Sequence, residues 1–132
     1  MIAVDTNVLV RFLVQDDADQ ARIAGDIFDQ LTDTEPGFVS REVLIELVWV
    51  LERAYGYGRA QIAEALDGLL SSTEVRIEAG DDVGSALDRY RNDGFGFADL
   101  MIAAAARRAG AAELVTFDRK AARLPGVRLL LG

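Results

Sequence analysis

Short apolar runs alternate with longer amphipathic ones along this chain, and that alternation most tightly limits its fold. Residues 2–5 of MIAVDTNVLV read as a short buried strand ending at Asp5, and a helical segment follows from Thr6 to about Val14. DDADQARIAGDIFDQL has acids at its start and Ala21, Ala24, Ile27, Phe28 and Leu31 at helical spacing, which predicts an amphipathic helix. Beyond a turn at Glu35-Pro36-Gly37, GFVS predicts a short strand. SREVLIELVWVLERAYG then predicts a long helix, with Ser40 as N-cap and Gly56 as stop. Next come a helix in GRAQIAEALDGLLSS, a strand in TEVRIE and a helix in DDVGSALDRYRNDG that ends at Gly94. FADLMIAAAARRAG is a nearly all-apolar helix, ELVTFD a strand, DRKAARL a short helical turn and VRLLL a final strand. This order predicts a single α/β domain over residues 1–132. Its core is a mainly parallel central sheet of four to five strands with helices on both faces.

Composition narrows the chemistry by what it lacks. Without Cys, the 132-residue chain has no disulfide, thiolate nucleophile or Cys-ligated zinc. Without His, no imidazole acid–base pair and no Ser-His-Asp triad can operate. What remains is carboxylates, hydroxyls, arginines, one lysine and a hard cation such as Mg²⁺ or Mn²⁺. No apolar stretch approaches the roughly 18 residues of a membrane span. The first residues lack the basic region and cleavage site of a signal peptide, so the expected location is cytoplasmic. The net charge of −8 is uneven, with 12 acids against 5 bases in residues 1–66 and 10 against 9 in residues 67–132. Such a chain does not bind nucleic acid as a polycation. Its basic end, including Arg107, Arg108, Arg119 and Lys120, can still hold a phosphate backbone. Arg107 and Arg108 equally suit a helix C-terminus, where cations are favoured.

Four carboxylates stand out by position. Asp5 and Asp118 each end a strand and precede a helix, where open parallel sheets place their functional crevice; each position also suits a helix cap. Glu46 lies in mid-helix with Val43 and Val50 a turn to either side, which predicts an apolar face and a need for a partner. Asp99 opens its helix just after Gly94 and Gly96, where the helix dipole favours an acid. Two like charges ~4 Å apart repel by about 4 kcal/mol at an effective dielectric of 20. Against ~5–15 kcal/mol of total stability, a cluster of four asks for a compensating cation or displaced pKa values.

These segments together resemble a PIN domain, and specifically the toxin ribonucleases of VapC type. VDTNVLVRFL is similar to the family's opening, SREVLIELVWVLERAYG to its glutamate-bearing helix and GFADLMIAAAARRAGAAELVTFDRKAARLPGV to its C-terminal signature. The resemblance covers nearly the whole chain and assigns the family's four acids to Asp5, Glu46, Asp99 and Asp118. It implies a Mg²⁺- or Mn²⁺-dependent endoribonuclease, the toxin of a type II toxin–antitoxin system, in which a metal-activated water attacks an RNA phosphodiester in line. Asp5, Asp99 and Asp118 are the expected metal ligands, with Glu46 orienting a water or holding a second metal. Thr6, Asn7 and Thr116 are expected to fix the carboxylates or touch phosphate, and Asn7 also suits a turn. The resemblance further implies an antitoxin protein that fills the acidic pocket, and a homodimer is expected. Trp49, Tyr55, Tyr57 and Phe12 are candidates for the apolar part of such surfaces; core packing equally explains Trp49 and Phe12. Glu42, one turn before Glu46, and Asp93, near Asp99, are further acids around the same places.

Two other chemistries fit strand-end acids. An aspartate-based phosphohydrolase wants a second acid two residues after the first, where Asn7 stands. A phospho-receiver domain wants an acidic pair after the first strand and a Lys after the last, whereas Lys120 follows Asp118 on a helical turn.

Overall fold

The computed structural model describes residues 1–131. Its elements follow the order read from the pattern. They are β1 (Ile2–Ala3), α1 (Thr6–Val14), α2 (Ala18–Gln30), β2 (Gly37–Val39), α3 (Arg41–Arg53), α4 (Arg59–Ser71), β3 (Val75–Ile77), α5 (Gly80–Asp93), α6 (Phe97–Arg108), β4 (Leu114–Thr116), a 3₁₀ turn (Ala121–Arg123) and β5 (Val127–Leu129). All strand pairings are parallel, but the strands form two sheets, β1-β2-β3 and β4-β5. The chain divides accordingly into two compact units, Met1–Gly80 and Asp81–Gly132. Among the described residues, no helix is long and apolar enough to cross a membrane.

In the first unit, β2 pairs with β1 through Ile2↔Gly37 and Ala3↔Phe38, and with β3 through Gly37↔Val75 to Val39↔Ile77. Gly37 sits where a Cβ would come within 2.9 Å of Leu31 Cδ1, so a side chain there would make the tip of buried Leu31 shift. Helix α1 packs on α2 and α3, and α4 packs on β3. The side chains that fix these contacts are Leu9 on α1, Leu44, Leu47 and Leu51 on α3, and Ile62 and Leu66 on α4, all without exposure. Each fully buried side chain of this size stabilises by about 1.5–3 kcal/mol. Phe12 stacks on Phe28 with centroids 4.3 Å apart, which assigns Phe12 to packing between α1 and α2.

The strand β1 differs from expectation. Ile2 and Ala3 are exposed, and the first buried residue is Val4. An apolar run of four residues is too short to reveal that only its end turns inward.

In the second unit, fully buried Tyr90 of α5 meets Phe97 of α6 edge to face at 6.1 Å. Phe97, Leu100, Met101, Ala103 and Ala104 form the buried stripe of α6, as its composition predicts. Residues 114–116 pair with 127–129. Gly94 closes α5 with φ +75, a left-handed conformation that a side chain would strain.

Candidate functional site

Each expected site residue has a definite place. In the first unit, Asp5 follows β1 and is the N-cap of α1, with its Oδ1 accepting from Thr6 N at 2.8 Å. Cap and site readings are compatible here, because that bond uses one oxygen of an exposed carboxylate. Thr6 beside it is buried, with 5% exposure, and its Oγ1 has no hydrogen-bond partner among the described residues. An unpaired buried hydroxyl costs about 1–3 kcal/mol. Asn7 is helical rather than a turn residue. It is exposed at a groove of about 470 Å³ between α1 and α2, lined also by Arg11, Gln20 and Ile23.

Glu46 corrects an expectation. It is exposed, and so are Glu42, Trp49 and Arg53 at the same helical spacing. The buried stripe of α3 is Leu44, Leu47, Val48 and Leu51, while Val43 and Val50 are only half-buried. Glu46 therefore belongs to the solvated face of α3, and no buried partner is required. Trp49, 58% exposed, is not a core residue. Tyr55 is spoken for as well: its hydroxyl donates to Asp16 at 2.9 Å and accepts from Arg11 at 3.2 Å.

The second unit brings two expected acids together. Asp99 lies in the first turn of α6 and lines a cavity of about 230 Å³ whose other walls include Ile102, Leu114, Thr116, Ala121 and Leu124. Burial raises its carboxyl pKa above the ordinary aspartate range, the charge of Asp118 raises it further, and the charge of Lys120 opposes both. Asp118 is held by its neighbours. Its N–H donates to Thr116 Oγ1 at 3.0 Å, and its Oδ1 accepts from Ala121 N at 2.9 Å. Thr116 thus holds the backbone of Asp118 rather than its carboxylate.

The expected cations differ in freedom. Arg108 forms an ion pair with Asp82 at 2.9 Å. Arg107, Arg119 and Lys120 are exposed and have no ion pair among the described residues. Asp93 pairs with Arg89 at 3.0 Å, which accounts for it without a site role.

The donor set suits a hard divalent cation in kind. Every candidate donor is an oxygen, and the half-buried Asp99 feels a like charge that a cation would neutralise. Among the described residues, no group of three or more acids is placed to hold a metal ion, so the expected cluster of four is not seen assembled.

Parallel strands alternating with helices, acids after β1 and β4 and an acid opening α6 define a class. The chain belongs to the PIN domain family, whose model matches residues 2–127. Within it, the chain is similar to a VapC ribonuclease of Aquifex aeolicus (strain VF5), with 30% identity over 125 residues that make up 94% of this chain and 92% of the relative.

Proposed function

We propose that this protein is a metal-dependent endoribonuclease, the toxin of a type II toxin–antitoxin system, with Asp5, Glu46, Asp99 and Asp118 as its catalytic acids. The observation that carries this reading most is the pair Asp99 and Asp118. A fold does not keep a half-buried acid under a neighbour's negative charge for stability. The name of the similar protein supports ribonuclease activity, and membership of the family supports the assignment of the acids.

Mg²⁺ or Mn²⁺, when bound, would supply a water of lowered pKa and neutralise charge developing on the phosphate. Asp5, Asp99 and Asp118 would hold it, directly or through water. The chain's own parts do the rest. The turn N–H of Ala121 fixes the Asp118 carboxylate and Thr116 Oγ1 holds the Asp118 backbone N–H, so little reorganisation accompanies reaction. The apolar walls around Asp99 limit water beside it and strengthen its electrostatic interactions. Asp5 is oriented by the Thr6 N–H at the start of a rigid helix, and the buried, unpaired Thr6 hydroxyl would serve a water enclosed beside it. Glu46, on the solvated face of α3, is suited to orient a water or take a second ion. Arg107, Arg119 and Lys120 are the free cations for RNA phosphates, while Arg108 must first leave Asp82.

In this reading the partner is a cognate antitoxin protein that presents a cation to the acids, and the toxin acts as a homodimer in the cytoplasm. Incubating purified protein with total RNA, after chelation and after return of Mg²⁺ or Mn²⁺, tests the activity. Cleavage is expected only with the metal, and equal cleavage in EDTA by metal-free protein removes the proposal.

A further inference from the structure

The only lysine of the chain, Lys120, is the N-cap residue of the 3₁₀ turn two residues after Asp118, and its side chain makes no cap hydrogen bond. A Cβ at Gly94 would stand 3.6 Å from Lys120 Nζ, and a Cβ at Gly96 would stand 3.1 Å from Asp99 Oδ2. The ammonium and the carboxylate thus both lie along the Gly94-Phe95-Gly96 loop; a Cβ would crowd the carboxylate at Gly96 and make ordinary contact with the ammonium at Gly94. The two groups stay apart. Lys120 forms no ion pair within 4.0 Å among the described residues, although its charge is felt at Asp99 against that of Asp118. Lys120 is exposed, and its three donors are unspent.

We infer that Lys120 is a resident cation beside the acid pair that lowers the pair's affinity for a divalent ion and binds a non-bridging oxygen of the RNA phosphate brought to it. This inference rests on the nuclease reading above. Removing a positive charge next to a cation site tightens cation binding, and removing a phosphate-binding charge weakens RNA binding. The two effects therefore have opposite signs, a signature that loss of structure cannot produce.

The test uses the full chain as wild type, Lys120→Met and Lys120→Arg. Mn²⁺ binding is followed by electron paramagnetic resonance, and binding of a single-stranded RNA oligonucleotide by fluorescence anisotropy in EDTA, where no cleavage interferes. Lys120→Met is expected to bind Mn²⁺ roughly three- to tenfold more tightly. The same variant should bind RNA several-fold more weakly, with a logarithmic salt slope reduced by about 0.7. Lys120→Arg should restore both towards wild type. Unchanged or weakened Mn²⁺ affinity in Lys120→Met, or unchanged RNA affinity, overturns the inference while leaving the nuclease reading intact. A wild-type protein that binds no Mn²⁺ overturns both.

Discussion

The two units carry their acids in contrasting surroundings. In the first, Asp5 and Glu46 are exposed, one a helix cap and the other on a solvated helix face. In the second, Asp99 is half-buried against apolar walls, pushed upward in pKa by burial and by Asp118, with Lys120 standing off it. The contrast separates two ways of placing a functional carboxylate. An exposed acid costs the fold little and is recognisable by where it lies. A half-buried acid beside a like charge is destabilising by itself and is recognisable by that cost.

The largest effect expected from this contrast is catalytic. Asp99→Asn should lower RNA cleavage by roughly two to three orders of magnitude, on the scale of losing one strong electrostatic contact to the reacting group. Rates with a defined RNA in Mg²⁺ check this, and a variant within threefold of wild type would remove Asp99 from the site. The next effect belongs to Thr6. Thr6→Val removes the buried hydroxyl that has no partner, so stability should rise by about 1–3 kcal/mol while cleavage falls. Denaturant unfolding and rates read the two sides, and a destabilised Thr6→Val would show that the hydroxyl is satisfied in solution.

A smaller effect follows from the sign of the Asp99 shift. Its folded pKa is raised, so its contribution to stability is fully present below the ordinary aspartate pKa and is lost as pH rises through the folded value. Asp99→Asn should therefore melt higher than wild type at pH 7 without metal, and the difference should disappear near pH 3–4, close to the unfolded pKa of about 3.9. Melting temperatures across that range would contradict the account if the variant were the less stable at pH 7.

The smallest effect is at Asp16, whose carboxyl is held below the ordinary range by the Tyr55 hydroxyl and, less, by Arg11. Its contribution is present above the unfolded pKa and lost as pH falls through the lowered one. Asp16→Asn should lower the melting temperature slightly at pH 7, with the gap closing in acid. A gap that widened in acid would reverse the assignment.

Much of this was legible in the sequence, for physical reasons. Periodicity identified all five strands and six helices, because buried stripes such as Leu44, Leu47, Val48 and Leu51 repeat at helical spacing. It failed where spacing alone does not say which face turns inward. Val43 and Val50 flank Glu46 along one stripe, yet the leucines to the side of that stripe take the core and leave Glu46 and Trp49 outside. Composition failed at β1 for a related reason, since apolar residues at an exposed strand read the same as those at a buried one. The division of the strands into two sheets also left no mark in the sequence. Of the second unit's electrostatics, Asp99 and Asp118 were readable by position. Lys120 was readable only as a charge, because its place over Gly94 depends on two loops distant in sequence.

Divalent-ion binding by the proposed acids is the claim on which the nuclease reading depends, and Mn²⁺ titration of three proteins addresses it. Wild type, Asp5→Asn and Asp99→Asn are compared by electron paramagnetic resonance under identical salt. Each substitution is expected to weaken Mn²⁺ binding at least tenfold with the fold retained. Full-strength binding in both variants, together with wild-type RNA cleavage, would contradict the proposed ligands.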